Sequence, residues 1–195
     1  MNQKDADYIT GLFHAIGKIE NGDIRDKVIR TIYNAWKQGN FDRIEKVHQF
    51  EPARDSIEYT NVEHTNQVSM AAEKMAAMLK EEMGIKVNMD YLLAGAALHD
   101  VDKMVIFDSE TGGYTPTGRL FAHAVMGASL ALREGLPEEV AHIIGAHSAR
   151  YSPVPPRTIE AMIVRQVDEL AAHAVYMSRG LDMGTEISRA VARIG

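Results

Sequence analysis

Apolar residues recur at steps of three and four along most of this chain, and that spacing restricts what it can fold into. Ile24, Val28, Ile32 and Trp36 stand at strict steps of four, which places them on one face of an α-helix. No segment alternates apolar and polar residues as a half-buried strand does. The sequence therefore predicts an all-α fold.

Residues that begin and end helices divide this pattern into segments. Thr60 with Glu63 three residues later has the spacing of a capping box, Asn88 can cap a helix, and Gly84 and Gly135 are suited to end one. We expect helices over about 9–19, 24–36, 41–50, 60–83, 88–100, 120–134, 137–147 and 158–179, and a short amphipathic one over 187–194.

The stretch from Val101 to Arg119 differs from its surroundings because glycine, serine, threonine and proline interrupt the apolar pattern. Connections of this length in compact domains usually carry function or move. We therefore expect residues 101–119 to form a loop that shapes or covers a pocket.

The composition of the chain limits which classes of protein it can belong to. The chain has 195 residues, enough for one domain of ordinary size, and no cysteine, so any metal must be held by nitrogen and oxygen. Its 21 basic and 27 acidic residues give a net charge of -6, which argues against bulk binding to nucleic acid. No window approaches a membrane span, and the first residues, MNQKDADYIT, lack the pattern of a secretion signal. We expect a cytoplasmic protein.

The apolar pattern also suggests how the chain is organised. We divide it into accessory N-terminal helices over residues 1–58, a main helical domain over 59–182 and a short C-terminal helix over 183–195. The accessory helices, which include Tyr33 and Trp36, are expected to cover the core or to form a homodimer contact.

Histidine and aspartate residues fall on, or at the end of, the apolar faces of successive predicted helices. There are six such residues: His64, His99, Asp100, His123, His147 and Asp168. Burying these groups among apolar side chains is costly unless a partner compensates them. Imidazole and carboxylate groups together suit Mn, Fe, Co, Ni or Zn. The pattern therefore predicts a metal centre inside the helix bundle.

The order of these residues resembles the HD superfamily of metal-dependent phosphohydrolases. The match runs through Val62-Glu-His64, Ala97-Leu-His99-Asp100-Val-Asp-Lys103, Ala122-His123-Ala-Val-Met-Gly127, Leu136-Pro137, Gly145-Ala-His147 and Val167-Asp168-Glu-Leu170. The resemblance implies a single helical HD-type domain over about 60–180. It also implies that His64, His99, Asp100 and Asp168 hold one metal ion.

Members with two metal ions add histidines from intervening helices, and His123 and His147 stand in the matching places. By resemblance, Asp100 would then bridge the two ions. Three departures weaken a cyclic-dinucleotide assignment in particular: Asp102 stands where many members have glycine, Ser148 where some have a second histidine, and the Gly-Tyr-Pro signature is missing.

The resemblance implies hydrolysis of a phosphate ester or anhydride, in a nucleotide or another small phosphorylated metabolite, by a metal-activated hydroxide. Two ions of this kind clamp the oxygens of a phosphoryl group during in-line displacement. We expect Asp100 and Lys103 to act in catalysis, and Lys103, Arg119 and Arg150 to bind substrate phosphate.

Two other functions fit the same ligands. Relatives such as inositol oxygenase use a similar set of four histidines and two aspartates to hold two irons and activate dioxygen. A metal-stabilised regulatory module without turnover is the third possibility.

Overall fold

The computed structural model describes residues 1–51, 57–148, 150, 152 and 154–180, and it confirms the all-α prediction. Within these residues, β structure is confined to two isolated bridges, His48–Thr60 and Phe107–Tyr114. The helices are α1 (Gln3–Leu12), α2 (Gly22–Gln38), α3 (Asn61–Met83), α4 (Met89–Leu98), α5 (Lys103–Ile106), α6 (Pro116–Leu120), α7 (His123–Arg133), α8 (Glu138–Ala146) and α9 (Ile159–Ser178). The predicted helix over 187–194 lies outside the described residues.

Helix α3 begins and ends where the sequence predicts. The Thr60 side chain accepts a hydrogen bond from the Glu63 amide, and the Glu63 carboxylate accepts one from the Thr60 amide, which completes the capping box. Gly84 ends the helix with φ of 65°, a left-handed conformation that favours glycine. The next helix, α4, is capped by Asn88 as predicted.

The predicted helix over 41–50 is wrong. Only a short 3₁₀ turn, Ile44–Lys46, forms there. Phe41, Ile44 and Val47 are buried at steps of three, which match the three residues per turn of a 3₁₀ helix. The chain then becomes extended and pairs with the segment before α3, because the Asn61 amide donates to the Val47 carbonyl at 2.8 Å.

The predicted continuous helix over 9–19 is also interrupted. Helix α1 ends at Leu12, and a 3₁₀ turn, Ile16–Lys18, follows. The Asn66 side chain of α3 bonds to both sides of the break, donating to the Leu12 carbonyl and accepting from the His14 amide. A contact distant in sequence therefore stabilises this interruption.

The expected loop over 101–119 contains two short helices, α5 and α6, joined through the Phe107–Tyr114 bridge. Gly118 lets α6 approach α5 closely, since a Cβ atom there would lie 2.5 Å from the Ile106 carbonyl oxygen. The segment is therefore an ordered hairpin-like unit, and the prediction of a simple loop is corrected.

Helix α4 lies at the centre of the fold, and every residue from Leu92 to Leu98 is buried. One side packs with the N-terminal residues Ile16, Val28 and Ile32, and the other packs with α3, α8 and α9. Because α4 ends directly before His99 and Asp100, these two polar residues lie in the interior. Across the described part of the chain, no helix is both long and apolar enough to cross a membrane.

Candidate metal centre

Five segments bring the six predicted ligand residues to one place. His64 lies in the first turn of α3, and Asp168 lies in the middle of α9. The other four stand at helix ends: His99 and Asp100 follow α4, His123 begins α7, and His147 follows α8. Four of the six side chains are almost completely buried, His123 is partly exposed, and Asp168 is largely buried.

Four of these residues, which we call the first group, are His64, His99, Asp100 and Asp168. His64 Nε2 lies 2.8 Å from Asp168 Oδ1 and 3.6 Å from Asp100 Oδ2. His99 Nε2 lies 3.3 Å from Asp100 Oδ2 and 3.7 Å from Asp168 Oδ1. Two imidazoles and two carboxylates thus surround one small volume.

The second group consists of Asp100, His123 and His147. His123 Nδ1 lies 3.4 Å from Asp100 Oδ1, and His147 Nε2 lies 3.6 Å from the same oxygen. Asp100 is therefore common to both groups, and it presents a different oxygen atom to each.

The two oxygens of Asp100 also differ in their other contacts. Oδ2 accepts a hydrogen bond from Gln49 Nε2 at 2.7 Å and lies 3.0 Å from Lys103 Nζ. Oδ1 has no hydrogen-bond partner among the described residues. The oxygen that faces the second group is thus the one left with unused acceptor capacity.

The histidine rings are oriented by backbone carbonyl groups. His99 Nδ1 lies 2.8 Å from the Ala96 carbonyl oxygen, and His147 Nδ1 lies 2.6 Å from that of Ile144. Because a carbonyl oxygen only accepts, each Nδ1 carries the proton and donates it. In the neutral ring, Nε2 then has the lone pair, and it is Nε2 that faces the aspartates.

A cation between the rings and the carboxylates would compensate this arrangement. A nitrogen lone pair facing carboxylate oxygens is electrostatically unfavourable by itself, and buried His99 Nε2 has no hydrogen-bond partner within the described residues. Two ligand atoms that each lie about 2.0–2.2 Å from one ion are about 3–4 Å apart. The measured separations fall in that range except for the 2.8 Å between His64 Nε2 and Asp168 Oδ1, so the donor set fits divalent transition metals.

The two aspartates of the first group are anionic at neutral pH. Burial by itself would raise the pKa of Asp100, but the Lys103 ammonium and His99 outweigh it and hold this pKa well below its usual range. Burial would also raise the pKa of Asp168, yet the hydrogen bond with His64 lowers it to about 2.

The two histidines at opposite sides of the centre behave differently. Burial lowers the pKa of His64, so its ring is neutral at pH 7. Burial acts in the same direction at His123, but the carboxylates of Asp100 and Asp102 outweigh it and raise the pKa of His123 to about 9. Without a metal ion, the His123 ring is therefore protonated on both nitrogens and carries a positive charge at neutral pH.

Sequence reasoning missed two side chains that support the first group. Gln49 is buried, and its amide donates to Asp100. The Tyr59 hydroxyl donates to Gln67 Oε1 and lies 3.3 Å from His64 Nδ1. Gln49 and Tyr59 lie in the two paired stretches between the Ile44–Lys46 turn and α3. The capping box at Thr60 was the only sequence signal close to them.

Asp102 is the third unpredicted feature of the site. Its side chain is completely buried, and neither carboxylate oxygen has a hydrogen-bond partner among the described residues. Oδ1 lies 3.8 Å from His123 Nδ1. The departure from glycine noted in the sequence thus places a third buried carboxylate beside the second group.

The three predicted phosphate-binding residues lie in different surroundings. Lys103 is buried, donates to the Gln49 carbonyl oxygen at 2.7 Å and lines a cavity of about 190 Å³ that reaches His123. Arg119 on α6 and Arg150 after α8 are exposed, and neither is among the described residues that line this cavity. A role in substrate binding remains a prediction for all three.

The chain is similar to known proteins over the region that contains these residues. The HD domain family matches residues 61–173, a range that contains all six ligand residues. A dihydroneopterin 2',3'-cyclic phosphate phosphodiesterase of Methanocaldococcus jannaschii is 31% identical, over 89% of this chain and 76% of the relative.

Ribonuclease Y proteins are also similar, but over a smaller share. The protein of Desulfotalea psychrophila is 33% identical over 60% of this chain, and that of Thermobifida fusca is 35% identical over 50%. The matched regions span 19% and 16% of those relatives. No solved structure matches this chain. The family match and the M. jannaschii relative, taken with the geometry above, show that the chain belongs to the HD domain family.

Proposed function

We propose that this protein hydrolyses a phosphoester in a small phosphorylated metabolite, with one or two divalent transition metal ions held by the first and second groups. The observation that carries the proposal is Asp100, which faces His64 and His99 with one oxygen and His123 and His147 with the other. A carboxylate placed in this way is suited to bridge two ions.

Metal ions bound in such a pair polarise phosphoryl oxygens and make a water molecule a better nucleophile. The chain itself supplies the charge and the rigidity that this chemistry needs. Asp100 and Asp168 remain anionic at neutral pH, and the carbonyl groups of Ala96 and Ile144 fix the rings of His99 and His147. The ligand atoms are therefore preorganised.

Lys103 is the residue that we assign to the substrate phosphate. An ammonium group has three N–H donors. Two of them point at Asp100 Oδ2 and the Gln49 carbonyl oxygen, which fixes the side chain beside the centre. Lys103 also lines the cavity, so its remaining donor is suited to a phosphate oxygen there.

The size of the cavity favours a small substrate. At about 190 Å³ it is below the roughly 300–1,000 Å³ of pockets that enclose drug-sized ligands, and the net charge of -6 disfavours a long polyanion. The M. jannaschii relative acts on a cyclic phosphate of dihydroneopterin. We therefore propose a cyclic phosphodiester of this size, rather than RNA, as the substrate type.

The test begins with protein purified without chelator. Its metal content is measured, and hydrolysis of glycerol 1,2-cyclic phosphate and of 2',3'-cyclic phosphates is followed in air and under argon. We expect Mn, Fe, Co, Ni or Zn in the protein and equal turnover in both atmospheres. Turnover only in air, with iron and O₂ consumption, would identify an oxygenase. Bound metal without any product would indicate a regulatory module.

The matched variants are Asp100→Ala and Asp26→Ala, the latter at an exposed position on α2. Loss of the shared carboxylate should remove both ions and lower kcat/KM at least about 1,000-fold, since metal ions contribute several kcal/mol to such reactions. Asp26→Ala should retain both. If Asp100→Ala kept its metal and its activity, the site would be misassigned.

A further inference from the structure

The cavity next to Lys103 adjoins the candidate metal centre at His123. It lies between the segment Gln49–Glu51, helix α5 and the residues from Tyr114 to His123. Lys103 and His123 line it, and both also approach Asp100, at 3.0 and 3.4 Å. A phosphate held at the centre would therefore extend its organic group into this cavity.

Aromatic rings form much of the cavity wall. Phe50, Phe107, Tyr114 and Phe121 come from all three of its sides. The Phe107 and Tyr114 ring centroids are 5.2 Å apart, and Phe50 packs against Tyr176 at 4.7 Å, so these rings hold one another in place. Phe121 is 51% exposed, which is a large apolar surface to leave at the mouth of a cavity. Walls of this kind favour a planar ring.

A carboxylate lines the same cavity. Glu51 is only 7% exposed and follows Gln49 and Phe50 in the extended segment. A carboxylate can accept about four hydrogen bonds, so a carboxylate at a cavity wall can bind a ligand while it keeps other contacts. Its best complement is a pair of neighbouring N–H donors on one edge of a planar ring, which can bind its two oxygens together.

We propose that this cavity binds a fused nitrogen heterocycle whose edge presents an amino group beside a ring N–H, as in guanine and in pterins, with that edge on Glu51 and the ring against Phe121. The ester phosphate then lies between Lys103 and the metal centre. This assignment rests on the proposed hydrolytic function, and it names the part of the substrate that determines specificity.

The experiment compares esters that differ only in the ring. Guanosine, inosine and uridine 2',3'-cyclic phosphates, and the dihydroneopterin ester considered above, are titrated calorimetrically into the metal-loaded protein and assayed for kcat/KM. Inosine lacks only the amino group of guanosine. We expect guanosine or dihydroneopterin to bind about 10- to 100-fold tighter than inosine, the value of a hydrogen bond to a charged group.

Variants of the cavity separate ring recognition from hydrolysis. Glu51→Gln should abolish the preference over inosine, and Phe121→Ala should weaken binding of every ring-bearing ester about tenfold through lost stacking. The matched control is Leu120→Ala, at the adjacent position, which is 79% exposed and is not among the residues that line the cavity. It should bind all esters like the wild type.

Glycerol 1,2-cyclic phosphate has the cyclic ester without a nitrogen heterocycle, so both cavity variants should hydrolyse it at the wild-type rate. Equal binding of guanosine, inosine, uridine and dihydroneopterin esters by the wild type, with glycerol cyclic phosphate still hydrolysed, would overturn the ring assignment and leave the proposed function standing. Absence of hydrolysis of any of these esters would count against the function itself.

Discussion

The two groups of the candidate metal centre share one carboxylate but differ in their surroundings. In the first group, His64 and Asp168 form a hydrogen bond, and Asp100 Oδ2 is held by Gln49 and Lys103. In the second group, Asp100 Oδ1 has no hydrogen-bond partner within the described residues, and His123 lines the cavity.

This difference indicates that the two groups have different roles. The first group is embedded between α3, α4 and α9, and Gln49 and Lys103 hold its shared carboxylate. The second group lies beside the cavity, and Asp102 places a further buried carboxylate next to it. We expect the first group to hold its ion as part of the fold, and the second group to hold an ion that contacts substrate.

The largest expected effect comes from removing one ligand from each group. His147→Ala should lose one ion and keep the other, whereas His64→Ala should lose the ion of the first group and also unfold at a lower temperature, because His64 is completely buried against Asp168. Metal content per chain and Tm measure both effects. His14→Ala, at an exposed position, is the control. Equal loss of both ions in both variants would contradict the claim that each group holds its own ion.

The second prediction concerns pH. A metal ion can bind His123 only after the proton has left, and this proton has a pKa of about 9 in the metal-free protein. Between pH 9 and pH 7, affinity for the second ion should fall by up to about tenfold per unit. Calorimetry at pH 7 in two buffers should detect release of this proton. Binding without proton release would show that His123 is not a ligand.

The same proton affects the stability of the metal-free protein. Its pKa is raised from 6.5 to about 9 on folding, so its contribution to stability is complete below pH 6.5 and is lost as pH rises through 9. The His123→Gln variant should lack this component of the pH dependence of Tm. An unchanged pH profile in that variant would assign the effect to another group.

Asp102 provides a smaller test of the second group. Asp102→Asn keeps the shape of the side chain but removes a carboxylate 3.8 Å from His123 Nδ1. It should weaken the second ion about tenfold, because a buried anion close to the site favours a bound cation. The measurement is made at pH 9, where competition from the His123 proton is least. The first ion should bind as in the wild type. If the affinity for both ions fell equally, Asp102 would instead act by stabilising the fold.

The smallest expected effect is that of Tyr59 on the first group. When His64 Nε2 binds an ion, Nδ1 carries the ring proton and can donate it to the Tyr59 hydroxyl. Tyr59→Phe removes this hydrogen bond of about 1 kcal/mol. Affinity for the first ion should fall several-fold without a change at the second. Tyr33→Phe, on α2, is the control. An unchanged first affinity would show that Tyr59 does not orient His64.

The six ligand candidates could be found from sequence because each combines two local signals. His64 and Asp168 are ionisable residues at apolar positions of amphipathic helices, and His99, His123 and His147 lie at ends of such helices. The capping residues Thr60 and Asn88 fixed where those helices begin. Local periodicity and capping therefore sufficed to nominate these residues, and the resemblance to the HD superfamily named them as metal ligands, which stays a prediction.

The rest depends on contacts between distant segments. Gln49 belongs to a segment whose three-residue apolar spacing fits a helix equally well, and only its pairing with Tyr59 and Asn61 makes it extended. The aromatic cavity joins that segment to α5 and to residues near Phe121. No local sequence pattern predicts contacts between segments so far apart, so neither the role of Gln49 nor the cavity could be predicted.

The sharing of Asp100 between two metal ions is the central claim, and anomalous scattering from a crystal of the metal-loaded protein tests it most directly. We predict two peaks about 3.5–4 Å apart, one beside Asp100 Oδ2 with the first group and one beside Oδ1 with His123 and His147. A single peak in the first group, with Oδ1 contacting no metal at saturating concentration, would contradict the account.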